Sequence, residues 1–88
     1  MALDYLKDSE LLKALAHPVR LRMVYGLLGH ECNVNKMVKA LDLPQSTVSQ
    51  HLGVLKGRGV VTLRKEGVKT CYRISDPRVE KLIKALGK

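Results

Sequence analysis

Two helix-length segments separated by a three-residue turn are the feature that most constrains the fold of this chain. Apolar residues recur at helical spacing in 35–41 and again in 45–56. Asp42-Leu43-Pro44 lies between them, and Pro44 suits the start of a helix because its missing N–H is not needed there. The residues predicted to face inward are Met37, Val38, Leu41, Val48, Leu52 and Leu55. Two consecutive helices joined by so short a turn form a helix-turn-helix motif.

A basic hairpin is predicted directly after the second of these helices. Gly57 and Gly59 end the helix, and β-branched residues in 60–65 and 69–74 indicate two short strands. Glu66-Gly67-Val68 between them forms a tight tip. A hairpin that follows a helix-turn-helix in this way is a wing. We therefore predict a mainly α fold with a small β-wing, which is a winged helix-turn-helix.

Two further helices are predicted before this unit. Asp8 or Ser9 caps the first, His17-Pro18 separates it from the second, and Gly29 ends the second. The apolar face expected of the first helix consists of Leu11, Leu12, Leu15 and Ala16. The corresponding face of the second consists of Leu21, Val24, Tyr25 and Leu28. The length of the chain allows one domain, residues 1–88.

A short extended piece at 31–34 leads to the third helix, which Asn35 caps, and Asp76-Pro77 begins a last helix after the hairpin. The apolar face of that last helix consists of Val79, Leu82, Ile83 and Leu86. A chain this short buries only about 60–65% of the surface that it exposes when unfolded. The first and last helices therefore have apolar surface to spare. We expect a homodimer built from both. Such a dimer places the two copies of the fourth helix, the second helix of the helix-turn-helix, about 34 Å apart.

Positive charge is concentrated in the part of the chain that holds the fourth helix and the wing. The net charge is +8, and 45–75 contains six Lys or Arg against Glu66 alone, so six minus one gives five of the eight excess charges. Such a patch indicates a polyanion, nucleic acid first and an anionic membrane second. No apolar run approaches the roughly 18–20 residues of a membrane span, and the N-terminus lacks a signal-peptide pattern. We expect no membrane partner and a cytoplasmic location.

The chain contains no Phe and no Trp. Its core must therefore be aliphatic, with Tyr25 and Tyr72 as its largest candidate fillers. The shortage of aromatic residues also argues against binding of single-stranded nucleic acid, because that function relies on aromatic platforms on which bases stack.

The fourth helix combines a polar outward face with almost no charge. At about 100° per residue, the side opposite its apolar stripe carries short polar residues and glycine. Gln binds adenine bidentately, Ser and Thr reach base edges or phosphates, and Gly allows close approach. An ordinary solvated face usually carries Glu and Lys, and this one has neither before Lys56. The residues of this helix expected to contact DNA are Gln45, Ser46, Thr47, Ser49, Gln50, His51 and Lys56.

Two of these assignments leave an alternative open. His51 lies at the edge of the buried stripe, so it could touch a phosphate or simply pack. In the wing, Arg64, Lys65 and Lys69 are expected to neutralise phosphates without reading sequence. Lysine on an exposed strand also prevents pairing with other chains, and the two roles are compatible.

Four stretches resemble the ArsR/SmtB family of bacterial repressors. Leu15-Ala16-His17-Pro18-Val19-Arg20-Leu21 is similar to the opening motif of the family, and LPQSTVSQHL at 43–52 is similar to its recognition-helix signature almost letter for letter. Residues 55–61 and 64–67 are similar to its turn and wing. The resemblance covers about 11–86. It implies a homodimeric, cytoplasmic repressor of transcription that binds a double-stranded DNA operator. In such proteins an inducer usually weakens the binding to the operator.

The sensing sites of that family are not matched. Its box for arsenic, cadmium and lead reads E-L-C-V-C-D-L, whereas Asn33 and Asn35 stand here at both thiolate positions and Cys32 at the leucine position. Its zinc, nickel or cobalt site on the last helix needs D-x-H, and Arg78 replaces the histidine after Asp76. We therefore expect no metal site of the family type and no cofactor, and the sequence names no inducer.

Cys32 and Cys71 are the remaining sensing candidates. In the family's fold the short piece around Cys32 lies beside the second wing strand, so the two thiols could be neighbours. Cys71 shares a strand face with Lys69 and Arg73, and a thiol flanked by cations is more reactive. One alternative is a repressor that switches by oxidation or persulfidation of these thiols. The other is two small, partly buried residues without a chemical role.

Two other classes of function fit the sequence less well. A non-specific architectural DNA-binding protein would carry basic residues throughout its contact helix and apolar wedges for the minor groove. The uncharged face of the fourth helix argues against it. No enzyme is expected either. Ser46 and Ser49 lie near His51 in the sequence, but these spacings on a helix do not bring a nucleophile to a base, and no carboxylate follows to orient one.

Overall fold

The computed structural model describes residues 3–29, 34–66 and 69–87. In chain order the elements are α1 (Tyr5–Leu15), α2 (Pro18–Gly29), α3 (Val34–Leu41), α4 (Gln45–Gly57), β1 (Val61–Glu66), β2 (Lys69–Ile74) and α5 (Pro77–Gly87). β1 and β2 pair antiparallel, with Val61 opposite Ile74 and Glu66 opposite Lys69. The hairpin directly follows the helix-turn-helix of α3 and α4, which confirms the predicted winged helix-turn-helix. None of the helices described is long and apolar enough to cross a membrane.

The core is aliphatic, as predicted. Val48, Leu52 and Leu55 of α4 are at most 2% exposed, so the predicted inner stripe of that helix is confirmed. The other buried residues are Leu11, Ala14, Leu15, Met23, Val24, Leu27, Met37, Val60, Val61, Val79 and Ile83. Tyr72 packs against this cluster from its edge. Among the residues that the structure describes, no polar or charged side chain is buried.

α1 begins about one turn earlier than the sequence pattern predicted. Asp4, not Asp8 or Ser9, is the N-cap, because its Oδ1 accepts the N–H of Lys7 at 3.0 Å. Asp8 Oδ2 accepts the N–H of Asp4 at 3.0 Å in return, an arrangement similar to a capping box. The prediction was wrong because either aspartate suits a cap locally, and Asp8 is instead held by Arg78 of α5 at 2.9 Å.

The apolar faces of the first and last helices are only partly buried. In α1 the helix ends at Leu15, so Ala16 becomes its exposed C-cap, and Leu12 is 53% exposed while Ala14 is buried. In α5 Leu86 is 73% exposed. The predicted stripes therefore contain residues that a single protomer does not cover.

α2 buries most of the predicted face, because Val24 is buried and Leu21 and Leu28 pack against the core, but the face is shifted away from Tyr25. Met23, Val24 and Leu27 are buried, whereas Tyr25 is 71% exposed. The expectation that Tyr25 fills the core is wrong. α2 packs on α1, α4 and β2, and this packing covers Val24 and leaves Tyr25 outside.

α3 begins at Val34, so Asn35 lies in its first turn instead of capping it. Of the predicted extended piece, Val34 is helical and 31–33 lie outside the described residues. The turn to α4 passes through Asp42, whose φ of 55° is in the left-handed region. Asp and Asn are tolerated there better than other non-glycine residues. The predicted turn between the two helices is confirmed.

The junction between α4 and the wing is a Schellman motif. The N–H of Val60 donates to the carbonyl of Leu55 at 2.9 Å, and the N–H of Gly59 donates to the carbonyl of Lys56 at 3.1 Å. Because Val60 is bound to the helix end, β1 starts one residue later than predicted. Ser75 ties the far end of the hairpin back to this junction, since its N–H donates to Val60 at 2.9 Å and its hydroxyl to Gly59 at 2.8 Å.

Candidate nucleic-acid interface

The outward face of α4 is polar and short. Ser46, Ser49 and Gln50 are exposed, as is Gln45 at the start of the helix, and Thr47 is half-buried. Their side chains form no hydrogen bond with other residues in the described ranges. Side-chain donors and acceptors on this face are therefore available to a ligand, as the sequence predicted.

The backbone of α4 is also accessible on this side. A methyl group placed on Gly53 or Gly57 would have no atom within 4 Å. Lys56, one residue before the end of the helix, is exposed. A surface that approaches α4 thus meets a smooth uncharged face first and a cation at its C-terminal end.

The wing lies directly beyond α4 in the chain. Arg64 and Lys65 are exposed on β1, where they stand opposite Cys71 and Thr70. The backbone of Lys69 begins β2, and the tip residues 67–68 lie outside the described ranges. The exposed cations of the wing are therefore carried on a hairpin that the Schellman junction joins to α4.

One basic residue of this region is used by the fold itself. Arg58, the C-cap of α4, pairs with Glu10 of α1 at 2.9 Å. Glu10 also lies 3.8 Å from Lys13. Arg58 therefore links α1 to the end of α4 and contributes less to the open positive surface than its position in the sequence indicated.

The structure packs His51 against two residues of the chain. The Nδ1 atom of His51 lies 3.3 Å from Nη1 of Arg20, and its ring centroid lies 4.6 Å from that of His17. Burial lowers the pKa of His51 below 6.5, and the neighbouring His17 and Arg20 lower it further. Sequence reasoning missed this cluster, because a separation of 31 residues between Arg20 and His51 leaves no local signal.

Cys71 is half-buried in β2 and is a free thiol. Its partner in the register is Arg64. Cys32, the other half of the predicted pair, lies outside the described residues. The redox hypothesis therefore stays a prediction.

Arg78 occupies the start of α5, where the resemblance placed the missing metal ligand. Its guanidinium pairs with Asp76 at 2.8 Å and with Asp8 of α1 at 2.9 Å. Side-chain hydrogen bonds from Arg78 are the main reason why the pKa of Asp76 is lowered. Both carboxylates are thus engaged by an organic cation, and the described part of the chain brings no three His, Cys, Asp or Glu side chains together.

Comparison with known proteins identifies the family. A model described as "Bacterial regulatory protein, arsR family" matches residues 17–62. The transcriptional repressor PagR of Bacillus anthracis is 46% identical over 80 residues, which cover 90% of this chain and 80% of PagR. The transcriptional activator HlyU of Vibrio cholerae is 40% identical over 80 residues, which cover 91% of this chain and 74% of HlyU.

Solved structures agree with this assignment. The PagR structure matches with a TM-score of 0.87 and 44% identity over 93% of this chain and 94% of that one. HlyU from Vibrio cholerae matches with a TM-score of 0.88 and 37% identity over 98% and 94%. A homodimeric winged helix-turn-helix domain from Mycobacterium bovis matches with a TM-score of 0.86 and 29% identity over 99% and 87%. This chain therefore belongs to the ArsR family and is a winged helix-turn-helix regulator of transcription.

Proposed function

We propose that this protein is a cytoplasmic homodimer that represses transcription by binding a specific double-stranded DNA operator. The observation that carries the proposal is the division of the exposed surface between α4 and the wing. α4 presents an uncharged polar face, and the hairpin next to it presents cations. Such a division suits a helix that reads base edges in the major groove and a wing that neutralises phosphates.

The candidate residues other than His51 take one of two roles. Gln50 has the geometry to bind adenine bidentately, and Ser46 lies one turn before it on the same face. The base-reading group is Gln45, Ser46, Thr47, Ser49 and Gln50. The phosphate-binding group is Lys56, Arg64, Lys65 and Lys69. His51 belongs to neither, because its imidazole already packs against His17 and Arg20.

Exposed apolar side chains on the first and last helices support the dimer. Leu6 and Leu12 of α1 are 73% and 53% exposed, and Leu86 of α5 is 73% exposed. An apolar cavity of about 330 Å³ opens between α1 and α5 beside Leu82 and Ala85. A second copy that covers this face would place two α4 helices in successive major grooves, about 34 Å apart.

Repression is proposed in preference to activation because the relative with the higher identity, PagR, is named a repressor. HlyU is named an activator. A reporter promoter that carries the binding site separates the two outcomes. Expression of this protein lowers the reporter signal if the proposal is right and raises it if the protein is an activator.

The experiment that tests operator binding starts from a pool of random duplexes of about 30 base pairs, long enough for two half-sites. The duplex enriched by the wild-type protein and a scrambled duplex of equal composition are compared by fluorescence anisotropy. Gln50→Ala should cost about 1–3 kcal/mol on the enriched duplex alone. Lys65→Ala, the matched variant in the wing, should weaken both duplexes and reduce the salt slope by about one.

Two outcomes would contradict this assignment. A ratio of enriched to scrambled affinity near one would indicate a non-specific architectural protein. A change of base preference in Lys65→Ala would show that the division of roles between helix and wing is wrong.

A further inference from the structure

Arg20 joins the end of α1 to the middle of α4. It lies in the first turn of α2, and its Nε donates to the carbonyl of Ala14 at 2.6 Å. Its Nη2 lies 3.4 Å from the carbonyl of Lys13, which also accepts the N–H of Ala16, so Arg20 binds carbonyls in the last turn of α1. Nη1 of the same guanidinium lies 3.3 Å from Nδ1 of His51.

Both histidines of this cluster use Nδ1 as an acceptor. A guanidinium can only donate hydrogen bonds, so the contact with Arg20 requires an unprotonated Nδ1 on His51. His17 Nδ1 accepts the N–H of Val19 at 3.1 Å. An imidazolium carries N–H groups on both nitrogens. Protonation of His51 therefore turns its contact with Arg20 into one between two donors, and it also places a second cation beside Arg20.

We propose that Arg20 and His17, acting through His51, are positioning residues that hold α4 against the end of α1 for DNA recognition, and that protonation of His51 releases this hold. The inference rests on the proposed function, because it takes α4 as the helix that reads DNA.

No negative charge in the described surroundings of His51 compensates for the positive charge that a proton would add to its ring. His17 from the turn before α2 and Arg20 from α2 face it directly, and both act with burial to lower its pKa. On α1 the carboxylate of Glu10 is paired with Arg58 and Lys13. The other elements packed on α4 are α3 and β1, and their sequences carry four cations and one acid. The cations are Lys36, Lys39, Arg64 and Lys65, and the acid is Glu66. In the described ranges no carboxylate forms an ion pair with either imidazole.

The position of this contact explains why its loss would affect recognition. Besides their apolar packing, α1 and α4 are joined by polar side chains at two points in the described ranges, through Arg20 at His51 and through Glu10 at Arg58. No side chain caps the N-terminus of α4, since Pro44 precedes it. The Arg20 contact is therefore the tie nearer to the base-reading residues. Because α1 also lies in the proposed dimer interface, the contact links the orientation of α4 to the partner subunit.

The test compares the enriched and scrambled duplexes at about pH 8 and about pH 5.5, on either side of the ordinary histidine pKa. The wild-type ratio of the two affinities should fall at least about fivefold in acid, the factor that one net hydrogen bond represents. Affinity for the scrambled duplex should hold or rise, because added positive charge favours phosphate binding. Far-UV circular dichroism at both pH values confirms that the protein stays folded.

Variants assign the effect to the cluster. In His51→Asn the amide oxygen can accept from Arg20 without titrating. The fall in the affinity ratio between about pH 8 and about pH 5.5, here called the acid loss, should therefore shrink to within about twofold. His17→Asn, which removes the ring that packs on His51, should lower the ratio at both pH values. Arg20→Ala should lower the ratio at both pH values, and Arg20→Lys should restore less than half of that loss, because an ammonium lacks the fork of donors. His30→Asn, which removes the third histidine of the sequence, should keep the full acid loss.

Several results would overturn the inference. They are a wild-type ratio that does not change with pH, an acid loss in His51→Asn equal to that of wild type, or an unchanged ratio in Arg20→Ala at about pH 8. If a histidine variant does not fold, the wild-type and Arg20 measurements decide. A failure of the proposed function is distinguishable, because the random pool would then yield no enriched duplex at about pH 8.

Discussion

Gly59 sits at the point where the reading helix passes into the wing, and Gly59→Ala tests that junction. The residue has φ 74°, a region in which glycine pays no steric cost and other L-residues do. It occupies the C′ position of the Schellman motif, where its N–H donates to Lys56 and its carbonyl accepts from Ser75. The buried Val60 that follows packs beside Leu55, the hydrophobic contact that usually accompanies this motif.

The magnitude follows from what surrounds the position. A methyl group on Gly59 would meet no atom within 4 Å, so there is no clash to add and the cost comes from the backbone alone. A left-handed conformation costs an L-residue about 1–2 kcal/mol. We expect Gly59→Ala to lower the free energy of unfolding by about that amount.

Gly57→Ala is the matched control, because Gly57 is the last residue of α4 and a methyl group there also meets no atom within 4 Å. Its φ is not positive. Alanine is favoured over glycine in a helix by up to about 1 kcal/mol, so this variant should be neutral or more stable. Urea unfolding followed by circular dichroism at one fixed protein concentration measures both, since the stability of a dimer depends on concentration.

The two substitutions should therefore move the midpoint of unfolding in opposite directions with equal slopes. A Gly59→Ala protein as stable as wild type would refute the reasoning, because the left-handed residue would then not be required at this junction. A loss of similar size in Gly57→Ala would point to a general effect of substitution near the wing.

Three further predictions concern the core, the histidine cluster and the pair at the start of α5. Leu52→Ala should lower the free energy of unfolding by about 2–5 kcal/mol, because Leu52 is 2% exposed; a loss under about 1 kcal/mol in urea unfolding would mean that the site collapses around the gap. The folded pKa of His51 lies below its ordinary value of 6.5, so the unfolded chain takes up the proton first as the pH falls. The free energy of unfolding should thus be highest above pH 6.5 and decline below it through the folded pKa. His51→Gln should flatten this dependence on pH. An identical dependence in the variant would mean that another group causes the decline. In Arg78→Ala the carboxyl pKa of Asp76, measured by NMR titration, should rise toward 3.8 because its main hydrogen-bond donor is lost, and an unmoved pKa would exclude that cause.

The local sequence pattern predicted the structure correctly where a feature depends on residues within one helix or one hairpin. The apolar spacing of Val48, Leu52 and Leu55 and the breakers Pro44 and Gly57 bound α4 within one residue of its observed limits. The polar outward face followed from the same spacing. Family-like residues in 43–52 indicate DNA binding without any contact between elements.

The local pattern failed wherever two choices were equivalent within one element. Asp4 and Asp8 can both cap a helix, and the contact of Asp8 with Arg78, 70 residues away, decides between them. Tyr25 and Met23 both fit an apolar stripe, and the packing of α1, α4 and β2 on α2 buries Met23 and exposes Tyr25.

The sequence by itself determined the order of elements, the reading face of α4 and the basic wing, because each depends on spacing within a few residues. Only the tertiary structure decided which side chains of α1 and α2 are buried and which residues His51 packs against. Its contact with Arg20 crosses 31 residues, and His17 reaches it from a separate turn. Hydrogen bonds between residues so far apart leave no period in a sequence, because they depend on how the helices cross and not on how each one is built.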